Sequence, residues 1–172
     1  DLLRTCGIEI LHEMDAVGEN LRDHIIARMQ WKLSQAHLSY NHRASGLGLV
    51  SEVTRYFLTR RGFLSLPAAP IIGFLKSRPE LASPDIQLFA IPYAIKDVKR
   101  RKPQPFPAMG FSVCQLRPES LGSIHVRSAD PYAQPAIRFN FMSERIDQET
   151  MITSVKMARE IADQSPLDEI RG

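Results

Sequence analysis

Cysteine is scarce in this chain, with two in 172 residues, and the scarcity removes several classes at once. Cys6 and Cys114 are too few for a disulfide framework and too far apart for a metal pair, so both are expected as reduced thiols in a cytoplasmic compartment. The formal net charge is only +3, and the basic run Lys99 to Lys102 has no interleaved aromatics. A solvated loop is expected there and nucleic acid is not expected as a partner. No stretch reaches the roughly 18 consecutive apolar residues of a membrane-spanning helix. The best candidate, Leu64 to Leu75, is broken by Pro67, Pro70 and Gly73, so no transmembrane segment is expected. An initiator methionine and a signal peptide are also missing, and a start on Asp1-Leu2-Leu3-Arg4 suggests a chain cut from something longer.

Chemical motifs are missing as well. The five histidines, His12, His24, His37, His42 and His125, include one pair five apart, but no cysteine or carboxylate cluster joins them, so no metal is expected. There is no Gly-x-Ser-x-Gly elbow for a nucleophilic serine. The run Gly46-Leu47-Gly48-Leu49-Val50-Ser51 lacks a preceding strand, its third glycine and the acidic residue of a dinucleotide site, and reads as a flexible entry to a helix. The chain holds no self-contained catalytic set. With 44% hydrophobic and 24% charged residues, it has what one domain, or one and a half, needs to build a core.

What is present predicts a mixed fold. Asp1 to Cys6 reads as a helical end closed by Gly7, and Ile8, Ile10 and Leu11 as a brief strand. His24 to Leu38 has the partial alternation of a long strand. Leu47 to Leu58 is spaced as a helix, with Arg60 and Arg61 supplying cations at its C-terminal end. Asp85 to Ala90, Phe111 to Leu116, Ser123 to Arg127 and Ala136 to Phe139 read as strands, with Arg117 to Gly122 joining the middle two as a hairpin. Ile91 to Pro107, with four prolines and five cations, suits a surface loop. Ser143 is expected to cap a last helix whose apolar stripe is Met151, Ile152, Val155, Ala158, Ile161 and Ala162, ended by Ser165-Pro166. Strands joined by hairpins with helices before and after them predict an α+β fold, an antiparallel sheet covered on one face by helices.

Two runs carry a more specific message. The first is Val17-Gly18-Glu19-Asn20-Leu21-Arg22-Asp23-His24. The second is Leu116-Arg117-Pro118-Glu119-Ser120-Leu121-Gly122-Ser123-Ile124-His125-Val126-Arg127-Ser128-Ala129-Asp130-Pro131. Their order and separation resemble the middle of a glucose-methanol-choline (GMC) oxidoreductase, a family of FAD-dependent enzymes that oxidise alcohols, choline dehydrogenase among them. Arg61-Gly62-Phe63-Leu64, Gly73-Phe74-Leu75-Lys76-Ser77, Pro84-Asp85-Ile86-Gln87-Leu88 and Gly110-Phe111-Ser112-Val113 are similar to further stretches of that family's substrate-side domain. Two positions depart: Asp15-Ala16 stands where proline-glycine is common, and Leu121 where arginine is common before Gly122.

The resemblance implies that residues 1–24 connect to a missing FAD-binding domain of the same polypeptide, with 25–172 a substrate-binding domain. It further implies that the glycine-rich flavin motif and the catalytic histidine motif lie outside the chain, so that no catalytic residue is expected within it and alone it would neither hold FAD tightly nor oxidise an alcohol. Val17, Gly18, Asn20, Asp23 and His24 would face FAD, short polar groups beside a glycine that permits close backbone approach. Asn20 and Asp23 could equally bond local backbone N–H groups at a turn. Gln87, Phe89, Cys114 and Gln115 would roof the alcohol pocket, although alternation lets only half of them face it. Two alternatives remain at this point: a free-standing α+β binding module, and a relative that has become a lyase or lost its redox role.

Overall fold

The computed structural model describes residues 2–67 and 69–172. In chain order its elements are α1 (Leu2–Thr5), β1 (Ile26–Lys32), α2 (Gly46–Thr59), β2 (Ile71–Leu75), β3 (Ile86–Ile91), β4 (Ile95–Asp97), β5 (Lys102–Pro103), β6 (Ala108–Gln115), β7 (Ser123–His125), β8 (Ala136–Arg138) and α3 (Arg145–Ala162). The fold is α+β, as expected, with an antiparallel sheet in the order β1-β6-β3-β2 and α3 across one face.

Strand β6 is the axis of the molecule because it is largely buried on both faces and pairs along both edges, with β1 and with β3. Side chains alternate across a strand, so Met109, Phe111 and Val113 point one way, joined by Leu88 of β3, with Ala27, Met29 and Trp31 of β1 packed against them. This face packs on Ala158 and Ala162 of α3, and Trp31 meets Phe111 with ring centroids 5.2 Å apart. Burying each large apolar side chain here contributes about 1.5–3 kcal/mol.

The helix meets the sheet on a stripe rotated from the expected one. Its buried residues are Asp147, Thr150, Met151, Ser154, Ala158 and Ala162, whereas Ile152 is 56% exposed. Small residues let the helix axis approach the sheet, and the bulkier β-branched Ile152 and Ile161 are displaced to the flank. Ser154 satisfies its buried hydroxyl within the helix, donating to the Thr150 carbonyl at 2.7 Å.

Several local expectations are corrected. Arg117 to Gly122 does not close a hairpin: both edges of β6 are occupied, so the chain leaves the sheet and β7 pairs instead with β8. Ile8 to Leu11 finds no strand partner and forms no strand, and Leu11 is 93% exposed. The strand expected from His24 to Leu38 is confined to Ile26–Lys32, followed by a one-turn helix at Ala36–Leu38. The proline-rich Ile91 to Pro107 stretch carries a small ribbon, β4 against β5. Ser143 does not cap α3. Glu144 occupies that position, and its N–H bonds the Ser120 hydroxyl at 3.2 Å. α2 and the left-handed Gly7 stand where expected, although Asp1 lies outside the described residues.

Candidate functional site

The two runs singled out in the sequence, a hundred residues apart, meet in space. Leu21 and Gly122 exchange backbone hydrogen bonds of 3.0 and 2.8 Å, and the Ile124 N–H donates to the Gly18 carbonyl at 2.7 Å. Gly18, at φ +85°, sits so close that a Cβ there would run into the Ile124 carbonyl and the His125 ring. Glycine is required by both the backbone conformation and the space. Around this ladder, the Glu19 carboxylate lies 2.8 Å from His125 Nε2 and Arg22 lies 3.6 Å from Glu119.

The five residues expected to face a flavin behave differently from one another. Val17 is 69% exposed. Asn20 adopts the left-handed conformation at φ +58°, and no hydrogen bond of its side chain is found among the described residues. Asp23 uses its carboxylate locally, accepting from the His24 N–H at 2.7 Å, and His24 Nε2 lies 3.2 Å from the Leu116 carbonyl. A polar hollow of about 460 Å³ opens here, with Arg22, Asp23, His24 and Arg117 among its walls. The arm is thus pinned by its backbone while Val17 and Asn20 remain presented outward, which fits a segment lying against a group held by another part of a protein.

The loop that receives this arm is anchored by Asp147, a residue the sequence did not single out. Its carboxylate accepts from Gln115 Nε2 at 2.9 Å, the Glu119 N–H at 2.9 Å, the Ser120 N–H at 2.7 Å and the Ser120 hydroxyl at 2.5 Å. Burial pushes its pKa up, but the hydrogen bonds from Ser120, Glu119 and Gln115 outweigh that and hold it below the usual carboxylate range. Gln115 therefore points to the helix side of the sheet, away from Gln87, Phe89 and Cys114.

Those three share the opposite face. There the register aligns Ile26, Cys114, Gln87 and Phe74 in one row and Arg28, Ser112, Phe89 and Ile72 in the next. Gln87 Oε1 lies 4.0 Å from the Cys114 sulfur, and burial raises the thiol pKa, which disfavours the thiolate. Above this face lies an apolar hollow of about 650 Å³. Phe89 and Ser112 form part of its floor, and Tyr40, Phe63, Leu66 and Tyr93 part of its sides. Burial raises the Tyr93 pKa, keeping it a neutral phenol.

A buried polar pair holds the ribbon over this hollow. Asn41 donates to the Ala94 and Gln104 carbonyls at 2.7 and 3.1 Å and accepts from the Ala94 N–H at 2.9 Å. Ser39 exchanges bonds with the Ala108 backbone at 2.9 and 3.0 Å. Gln30 donates to the Ile95 carbonyl at 2.9 Å from the sheet itself. Arg28, Ser112 and Tyr93 were missed in the sequence. The first two are recoverable from period-two alternation once the strands are known, but Tyr93 lies in the irregular stretch between β3 and β4, with no periodic signal.

Among the described residues, no group of three or more His, Cys, Asp or Glu side chains is placed to hold a metal ion, and no helix is long and apolar enough to cross a membrane. Residues 118–171 match the family model described as GMC oxidoreductase. An alcohol dehydrogenase [acceptor] of Pseudomonas putida is 34% identical over 94% of the chain and 29% of its own length. An oxygen-dependent choline dehydrogenase of Photobacterium profundum is 32% identical over 99% of the chain and 30% of its own length. The chain thus spans about three tenths of these curated relatives. A solved formate oxidase of Aspergillus oryzae, studied for modification of its FAD, superposes with a TM-score of 0.82 at 20% identity, covering 99% of this chain and 34% of that one. At that identity the likeness shows the fold. The likeness in sequence runs nearly end to end, so the motifs do not coincide by accident.

Proposed function

The chain belongs to the GMC oxidoreductase family, and on that premise we propose that it forms the substrate side of an FAD-dependent oxidoreductase acting on CH–OH groups. The observation that carries this proposal is the apolar hollow on the sheet face that α3 leaves open, walled by a few polar groups, Arg28 among them, in the manner of a small-molecule site.

In this role residues 25–172 are the substrate-binding domain and residues 1–24 the connection to an FAD-binding domain of the same polypeptide. The bound flavin would supply the acceptor for hydride leaving the alcohol carbon. Val17, Gly18, Asn20, Asp23 and His24 would hold the arm against that cofactor, with Gly18 permitting the close approach and Asn20 offering an amide. Phe89, flanked by Gln87 and Cys114 on the same face, would line the alcohol pocket, exclude water and orient the substrate. Gln115 would position the receiving loop through Asp147 instead of touching substrate. The base that removes the hydroxyl proton belongs to the remainder of the protein. The free thiols of Cys6 and Cys114 support a cytoplasmic setting.

The test is the anaerobic visible spectrum of the intact protein before and after a panel of primary alcohols. Flavin bands that bleach with at least one alcohol are expected. A colourless protein that stays so after incubation with FAD would overturn the proposal.

A further inference from the structure

The charges around the apolar hollow bear on which alcohol it accepts. Resting on the function proposed above, we infer that the hollow selects an uncharged alcohol with an apolar body over one bearing a quaternary ammonium, and that Arg28 is the residue setting this preference.

Arg28 rises from β1 opposite Ser112, in the row that continues to Phe89, and lines the hollow. Among the described residues it has no ion pair and no hydrogen bond, and no Asp or Glu lines the hollow. The ribbon adds to the imbalance. Ile95 and Val98 face the hollow, and Lys96, Lys99, Arg101 and Lys102 around them are exposed. The ribbon's own carboxylate, Asp97, sits 3.9 Å from Arg100. A quaternary ammonium cannot donate hydrogen bonds, so it needs a carboxylate or an open aromatic face. Of the aromatic rings lining the hollow, Tyr40 is stacked on Phe63 at 5.5 Å and already has the Arg43 guanidinium 6.0 Å from its ring centre, which leaves Phe89 and Tyr93 to face a ligand, and Phe89 stands in the same row as Arg28. Like charges within about 8 Å at an effective dielectric of about 20 disfavour each other roughly 30-fold. A neutral apolar alcohol meets no such opposition and gains from the apolar walls.

The experiment uses the intact flavoprotein and two alcohols of the same shape that differ in charge, choline and its carbon isostere 3,3-dimethylbutan-1-ol. Anaerobic flavin bleaching is expected to give the isostere a kcat/KM above that of choline by about tenfold or more. Arg28→Gln should narrow the ratio, mainly through the KM for choline, and Arg28→Lys should preserve it. Because Arg28 is exposed, neither variant threatens folding. Choline reacting as fast as the isostere, or faster, would overturn the inference and leave the oxidoreductase proposal standing. A ratio unchanged in Arg28→Gln would remove Arg28 from its role. A protein that holds no flavin, or whose flavin no alcohol bleaches, would overturn the oxidoreductase proposal and this inference with it.

Discussion

On one face of the sheet Met109, Phe111 and Val113 lie under Ala158 and Ala162 of α3. On the other, Gly110 and Ser112, alternating with them along the same strand, face a hollow of about 650 Å³. The strand, the backbone hydrogen bonds and the neighbours are the same; only the direction of the side chains differs. The closed face has large apolar residues and one fully hydrogen-bonded carboxylate, as a packed interior requires. The open face has glycine, serine, an arginine with no ion pair among the described residues, and aromatic walls, a set that leaves room for a ligand. Stability is concentrated on one side of β6, and the proposed function assigns recognition to the other, so substitutions on the two faces should separate in what they disturb.

The sharpest break is expected at Asp147→Ala, which strands four donors from Gln115, Glu119 and Ser120. Loss of about 3–5 kcal/mol is expected in denaturant unfolding of the intact protein, with release of the 117–122 loop and of the arm it receives. Ala158→Leu should come next, at about 1–3 kcal/mol, because there is no space between α3 and the sheet for the added atoms. A stability loss as small as that of an exposed substitution would show that the helix is not seated as described.

Acid should touch the closed face selectively. The Asp147 pKa lies below its ordinary value of 3.8, so its contribution is fully present above that value and fades as pH falls through the depressed one. Unfolding measured from pH 6 down to about pH 2 should show an acid-dependent loss of stability that Asp147→Asn lacks. The smallest stability effect is expected at Phe89→Ala on the open face, below about 1 kcal/mol for a side chain only half-buried. The same variant should raise the KM for the preferred alcohol severalfold. An unchanged KM would mean that Phe89 does not touch substrate.

Much of this was legible from residue order. Ile86, Leu88 and Ala90 alternate along β3, the 3.6 period of Leu47 to Leu58 marks α2, and the Val17 and Leu116 runs identified the family. Other features failed for identifiable reasons. The hairpin expected at Arg117 to Gly122 assumed a free edge on β6, but pairing with β1, more than eighty residues earlier, had taken it. The apolar stripe of α3 was drawn by hydrophobicity, whereas the close approach to the sheet selected small residues and a buried acid. Alternation along β6 requires Cys114 and Gln115 to face opposite ways, but only the contact of Gln115 with Asp147 decides which of the two turns to the helix.

The sequence by itself determined the strand and helix periods, the glycine at position 18 and the membership of a family, because these depend on local geometry and residue type. The tertiary structure alone decided which side of β6 closes and which stays open, that Asp147 gathers the 117–122 loop, and that Arg28 stands at an apolar hollow with no ion pair among the described residues. Each of these arises from contacts between segments far apart in the chain, and such contacts leave no periodic trace along it.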